Sequence, residues 1–185
     1  MNIFVLDKNP ITSAQMMCDK HVQVKMVVET MQMFGSAVIR HGAQPDDMPL
    51  TSKGTPLKGG YHHHPCTRWA GDSRENFLWL CYHGAALAEE YRRRFSGRDH
   101  ACADSIEHLF GMSNLIPDGP LTPFARAMPD DLKHDDTITD VEAYRRYYHR
   151  KSFSNGPPSW KKFRKAPAWW NREETIISHV REVKA

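Results

Sequence analysis

Apolar residues in the first quarter of the chain recur at intervals of three and four. This spacing predicts one face of an amphipathic helix over residues 13–41. Thr12 or Ser13 is the expected N-cap, and Gly42 is a normal helix stop. The apolar positions of this face are Met17, Val24, Val28, Met31, Gly35 and Val38.

The rest of the chain predicts further helices separated by loops. Asp72 with Glu75, and Thr139 with Glu142, have the spacing of capping boxes at helix starts. Residues 2–6 are expected to form a short strand or a buried extended lead-in. We expect helices over residues 73–96, 100–111 and about 140–153, and a last helix capped by Asn171.

Glycine and proline concentrate in two long segments, residues 43–65 and 112–138, which are expected to be loops. The chain therefore predicts an all-α fold with about five helices and long Pro-rich loops. At 185 residues it suits a single compact domain over 1–185. The basic and aromatic segment 159–170 is expected to pack on that domain.

Composition narrows the class of protein. No apolar run approaches the roughly 18 residues that cross a bilayer, and the N-terminus has no basic region of a signal peptide. The four cysteines form no C-x-x-C pair, which is typical of reduced thiols in the cytoplasm. The net charge of +3 permits polyanion binding. Motifs of P-loop, Rossmann, zincin and α/β-hydrolase enzymes are missing.

His21, Lys25 and Glu29 are spaced four residues apart and predict a polar stripe along one side of the first long helix. His21 falls on the apolar repeat, so it must be paired or face a cleft. A histidine, an amine and a carboxylate together can serve as acid, base and cation for an anionic substrate. The alternative is a surface Lys25–Glu29 pair beside a hydrogen-bonded core histidine.

Two further segments carry candidate binding residues. His62, His63 and His64 form a histidine run that either contacts phosphate or a metal, or is a polar loop. In segment 159–170, cations for phosphate alternate with aromatic faces for an unstacked base, although its tryptophans could instead pack on the core. The candidate nucleic-acid-binding residues are Lys20, His64, Arg68, Tyr144, Arg145, Tyr148, Lys161, Lys162, Arg164, Lys165 and Trp169.

The whole chain resembles a group of small proteins of tailed phages. The resemblance rests on residues 1–7, 18–26 and 116–129, which include Cys18-Asp19-Lys20-His21 and Ile116-Pro117-Asp118-Gly119-Pro120. It implies a phage source and host cytoplasm more than an activity.

A remoter resemblance is to the pyrimidine-dimer DNA glycosylases of the endonuclease V type. Asp19-Lys20-His21 matches the Asp-x-His motif of that family, and residues 61–65 match its Tyr-x-x-His-Pro loop. Glu29 is the nearest counterpart of the catalytic glutamate. Residues 165–170 resemble the closing basic, proline and paired aromatic residues.

This resemblance implies a small all-helical enzyme that pushes a nucleotide out of the DNA stack. An N-terminal amine, here that of Met1, would attack the sugar while the glutamate orients the reaction. The expected catalytic residues are Glu29, His21, Lys25 and Met1, with DNA or a nucleotide as partner and no cofactor, metal or membrane.

The expected reaction is DNA N-glycosidic cleavage of a damaged or modified base, with AP-lyase strand scission as a second step. Three other functions stay open. They are a transferase-like phage enzyme that modifies a nucleotide or a DNA base, a non-enzymatic phage protein that binds a host factor, and a metal-dependent hydrolase using Asp7 and the His62–His64 run.

Overall fold

Helices joined by irregular segments make up the protein, whose structure is a computed structural model that describes residues 1–154 and 156–170. This part of the chain contains seven α-helices and no β-strand, only two isolated bridges. The all-α prediction is therefore confirmed. The helices are α1 Pro10–Met16, α2 Met26–Arg40, α3 Pro65–Ala70, α4 Arg74–Arg94, α5 Ala103–Phe110, α6 Asp130–Lys133 and α7 Asp140–His149.

The first long helix differs from its prediction, because it is interrupted near Met17. The Asn9 side chain caps α1 by accepting from the Thr12 N–H, and Met17 is extended with ψ of 145°. The chain turns helical again at Asp19 and passes through a π-helical turn, His21–Lys25, directly into α2. Single π-turns of this kind occur frequently at functional sites.

Residues 2–6 form the buried extended lead-in rather than a strand. Ser13, one of the two expected caps, holds this lead-in instead, since its hydroxyl accepts from the Leu6 N–H and donates to the Phe4 carbonyl. The lead-in thus lies against the start of α1, which fixes where the N-terminus emerges.

Helix α4 lies at the centre of the molecule and contacts α1, α2, α3 and α5. It begins at Arg74 with Ser73 as its cap, one residue later than expected. Gly84 lets α2 approach closely, because a Cβ at this position would lie 2.7 Å from Thr30 Cγ2. Phe34 and Phe77 pack across the same interface with ring centroids 5.0 Å apart.

The described part of the basic and aromatic segment contacts the helical body. Trp160 donates to the Met16 carbonyl, and the Asp19 carboxylate accepts from the main-chain N–H groups of Lys161 and Lys162. The last helix that we expect after Asn171 lies outside the described residues.

Helices α5 and α7 lie within their expected ranges, and Thr139 caps α7 as expected. Helix α3 falls at the border of the predicted loop 43–65, where no helix was expected. None of the described helices combines the length and the apolar character that a membrane span requires.

Candidate active site

A cleft of about 590 Å³ opens beside the N-terminus of the chain. Its lining comes from the N-terminal lead-in, the π-turn with the start of α2, the start of α3, the segment 127–129, and the end of α7 with the residues after it. The lining residues are Met1, Asn2, Phe4, His21, Lys25, Glu29, His64, Pro65, Ala127, Met128, Pro129, Tyr147, Lys151, Ser152 and Phe153.

The Glu29 carboxylate contacts both ends of the first peptide unit. Its Oε1 lies 3.7 Å from the α-amino nitrogen of Met1, which is an ion-pair distance. Its Oε2 accepts a hydrogen bond of 3.0 Å from the Asn2 N–H. The Glu29 side chain is only 16% exposed, so the charged carboxylate and the ammonium group interact at the edge of bulk water.

Met1 exposes its main chain and buries its side chain. The side chain is 0% exposed, and its sulfur accepts a hydrogen bond from the Thr67 hydroxyl. The residue as a whole is nevertheless partly exposed, so the exposed atoms belong to its main chain, which includes the amino group. The buried thioether therefore anchors the first residue.

Asn2, which sequence reasoning did not select, fixes the direction of the N-terminus. Its side-chain amide donates to the Ala127 carbonyl, and its Oδ1 accepts from the N–H groups of Ile3 and Phe4. This turn brings Phe4 to a φ of +41°, a region that aromatic residues rarely adopt. The lead-in is thus bent so that residue 1 points at Glu29.

His21 is buried beside the cleft and stays neutral. Burial, with the nearby charges of Lys151 and Lys25, lowers the pKa of His21 to about 3. Its Nδ1 and Tyr148 Oη share a 2.7 Å hydrogen bond, and its ring stacks on Phe4 at 4.6 Å. The expected catalytic role of His21 stays a prediction.

Two lysines line the cleft. Lys25 ends the π-turn and Lys151 follows α7, and the charges of both act on His21. Lys151 Nζ donates to Tyr147 Oη at 2.6 Å and lies 5.2 Å from the centre of the Phe4 ring. Lys151 was one of several basic residues without an assigned role in the sequence, because nothing local shows that it reaches this cleft.

His64 lies next to the N-terminal amine. Its Nδ1 accepts from the Cys66 N–H at the start of α3, so the ring proton resides on Nε2. Burial and the positive charge of the N-terminus lower the pKa of His64. A neutral imidazole N–H donor therefore lines the cleft, in keeping with the prediction that His64 belongs to the binding residues.

The cleft thus brings together an amine, a carboxylate and two lysines. Comparison with known proteins identifies a family with which this arrangement can be compared. A family model described as "Pyrimidine dimer DNA glycosylase" matches residues 1–104, more than half of the chain. The chain belongs to this family. Neither the search of curated proteins nor that of solved structures found a match.

The match to the glycosylase family covers part of the cleft lining. Residues 1–104 include Met1, Asn2, the stripe of His21, Lys25 and Glu29, and the His64 loop. The other lining residues, from 127 to 153, lie beyond the matched range. The amine and Glu29 therefore lie within the family region, whereas Lys151 lies outside it.

Two tyrosines that we expected to contact DNA are placed in the core of this glycosylase-family protein. Tyr144 and Tyr148 are fully buried. Tyr144 donates to the Ala125 carbonyl, while Tyr148 accepts from the Cys18 N–H. The expectation of direct DNA contact is wrong for both, because i, i+4 spacing on α7 gave their shared side but not which way it faces.

Trp169 and Arg145 do not line the cleft. Trp169 packs 6.0 Å from the Tyr148 ring and donates to Met16 Sδ. Arg145 donates to the Leu6 carbonyl and lies over the Trp169 ring. The Tyr148 ring also contacts His21, and the expected nucleic-acid contacts of Trp169 and Arg145 stay predictions.

The remaining basic candidates are spread over the surface outside the cleft lining. Arg164 pairs with the buried carboxylate of Glu90, which gives it a structural partner. Lys161, Lys162 and Lys165 are exposed, as is Arg68 on α3, and Lys20 is partly exposed. Their expected phosphate contacts stay predictions.

The histidine run does not converge. His62 and His63 are exposed, while His64 turns inward as the cap of α3. Within residues 1–154 and 156–170, no three His, Cys, Asp or Glu side chains are grouped to hold a metal ion. Asp7 pairs with Arg145 instead of joining the histidines.

Proposed function

We propose that this protein is a DNA N-glycosylase whose nucleophile is the α-amino group of Met1. One observation carries the proposal, namely the 3.7 Å approach of that nitrogen to the Glu29 carboxylate inside a cleft. A nucleophile and its acid–base partner must come within hydrogen-bond reach, and apo geometry is commonly somewhat longer than the reactive one. Membership of the glycosylase family supports the same chemistry.

In the first step, the neutral amine attacks C1′ of the target nucleotide. The N–C1′ bond forms as the bond between C1′ and the base breaks, and the base departs with the bonding electron pair and takes up a proton. Once the N–C1′ bond has formed, Glu29 accepts a proton from the resulting ammonium nitrogen and returns it to the ring oxygen as the sugar opens to an imine. Hydrolysis of this imine regenerates the amine and leaves an abasic site.

An AP-lyase step can follow from the same imine. Loss of a proton from C2′ expels the 3′ phosphate, which breaks the strand, and water then releases the sugar fragment. Glu29 would take this proton. Lys25 and Lys151 would stabilise the phosphates next to the nucleotide, because cations that line a cleft neutralise a bound polyanion.

The substrate in this proposal is a damaged or modified base in duplex DNA. The cleft of about 590 Å³ lies within the range of sites that enclose small ligands, and an extruded nucleotide is of that size. A phage source and a setting in the host cytoplasm belong to the same proposal and rest on the sequence resemblance alone.

Trapping of the imine tests the proposal directly. The protein is incubated with UV-irradiated, abasic and base-modified duplexes in the presence of borohydride, which reduces an imine to a stable protein–DNA adduct. We expect an adduct whose mass maps to Met1. Glu29→Gln should lower the rate of adduct formation by about 10²- to 10⁴-fold, the usual contribution of a general acid–base group.

Glu107→Gln is the matched control, because it removes an exposed carboxylate on α5 outside the cleft lining. It should trap DNA like the wild type. If none of the duplexes yields an adduct or a cleaved strand, the glycosylase proposal is wrong. Tight binding of a free nucleotide without cleavage would favour the base-modifying transferase instead.

A further inference from the structure

Tyr61 stands out as an exposed aromatic side chain held by a strained backbone. It is 64% exposed, and no other aromatic ring of the described chain packs against it. Its φ is +54°, in the left-handed region that is unfavourable for a residue with a side chain. Neither burial nor backbone preference explains a tyrosine at this position.

The base of the Tyr61 loop is fixed firmly to α2. The Ser36 hydroxyl donates to the Gly60 carbonyl and accepts from the Gly60 N–H. Gly59 lies so close that a Cβ there would approach Ser36 N to 2.5 Å. On the other side, the His64 N–H bonds back to the Tyr61 carbonyl and closes a turn. The aromatic ring is therefore presented on a rigid support.

Two neighbours place this support at the rim of the cleft. Gly60 lies against Gln32, which follows Glu29 by three residues on α2 and so lies about one helical turn, roughly 5 Å, along the same face. His64 and Pro65, immediately after the loop, line the cleft themselves. Tyr61 is not itself a lining residue, but it is joined directly to Gly60 beside Gln32 and lies three residues before His64 in the chain.

We infer that Tyr61 is a stacking wedge that enters the DNA helix and fills the gap left when the target nucleotide is extruded into the cleft. This inference rests on the proposed function and names the residue that holds the DNA open. Extrusion removes stacking on both neighbouring bases, and an aromatic face restores it without regard to base identity. Lys58, His62 and His63, which are near Tyr61 in the chain, are exposed and would suit the adjoining backbone phosphates.

The test uses binding rather than chemistry. A duplex carries a tetrahydrofuran abasic analogue, which cannot be excised, with 2-aminopurine as the adjacent base. Stacking quenches 2-aminopurine, so the wild-type protein and Tyr61→Phe should lower its emission on binding. Tyr61→Ala should leave the emission high, while Tyr82→Ala, at another exposed tyrosine, on α4 and outside the cleft lining, should behave as wild type.

The same variants are then compared on a cleavable duplex. Tyr61→Ala should slow excision by about tenfold or more, because a lost base–aromatic stack changes an equilibrium by that order. Ala and Tyr both carry a Cβ, so the backbone strain at this position is equal in the two proteins.

The outcomes separate the two proposals. Quenching by Tyr61→Ala as strong as by the wild type, or no emission change with the wild type, overturns the wedge whether or not DNA is cleaved. Quenching that depends on Tyr61 without any excision or trapped adduct supports the wedge and rejects the glycosylase reaction.

Discussion

Among single residues, Glu29 is notable because its two carboxylate oxygens make different contacts. One oxygen faces the Met1 amine, and the other holds the Asn2 N–H. The second contact keeps the amine near the first oxygen, because the Met1 amine and the Asn2 N–H are joined only through the main chain of residue 1. A carboxylate one methylene shorter could not span both groups without moving the helix, so Glu29→Asp should also lose activity.

Lys151 offers a test of charge in the cleft. We expect Lys151→Gln to weaken duplex binding and to reduce the slope of log K against log salt by about 0.9, the value for one lost phosphate contact. Lys151→Arg should keep most of the slope. Fluorescence anisotropy at several salt concentrations measures it.

Lys53→Gln is the control for this measurement, since it removes the same charge from an exposed loop outside the cleft lining. An equal change in slope for Lys53→Gln and Lys151→Gln would mean that Lys151 acts only through net charge.

At the scale of elements, the π-turn explains why the expected core face of the first helix was partly wrong. Val24 is 49% exposed although the 3.6-residue period placed it inside, whereas Met26 and Val27 are buried. A π-turn adds about one residue to the helix and shifts the phase of the residues on either side of it. No local pattern shows such a shift.

Local signals did predict the elements whose limits depend on nearby residues. Thr139 gave the start of α7 correctly, because a cap acts within four residues. The two Gly- and Pro-rich segments are mainly irregular, but α3 begins at the end of the first and the short α6 lies within the second. His21, Lys25 and Glu29 all line the same cleft, which agrees with their spacing of four residues. Tertiary packing decides that Tyr144 and Tyr148 are buried. It also brings Lys151 and Asn2 to the cleft. A short stretch of sequence carries no information on such long-range packing.

The cap of α7 can be tested separately from the chemistry. The Thr139 side chain accepts from the Glu142 N–H, so Thr139→Ala should lower the free energy of unfolding by about 1 kcal/mol. Urea denaturation followed by circular dichroism measures this change. Thr12→Ala, inside α1 and without a capping bond of its own, should change it by less than half as much. Equal effects would rule out the capping role.

At the scale of the whole molecule, a second buried histidine makes the fold sensitive to acid. His83 on α4 stacks against Trp79 at 5.0 Å, and neither ring nitrogen finds a partner among the described residues. Burial lowers the pKa of His83 to about 3. Below pH 6.5, His83 is therefore protonated in the unfolded chain but stays neutral in the folded protein. The free energy of unfolding falls from pH 6.5 toward pH 3 as a result.

Replacing this side chain should stabilise the protein. We expect His83→Leu to raise the free energy of unfolding by about 1–2 kcal/mol at pH 7, because it removes an unpaired buried polar group. Below pH 6.5, the free energy of unfolding of this variant should fall less steeply than that of the wild type, by roughly 1.4 kcal/mol per pH unit. His134→Leu, at an exposed histidine, should leave the pH profile as it is. A decline unchanged in His83→Leu would show that other groups cause it.

The enclosed thioether of Met1 has a practical consequence for anyone who produces the protein. An affinity tag fused ahead of Met1 turns its amine into an amide and pushes added chain into the space beside Thr67 and Glu29. We therefore expect N-terminally tagged preparations to bind DNA yet form no reducible adduct. Proteolytic removal of the tag should restore the reaction only when the protease leaves no extra residue.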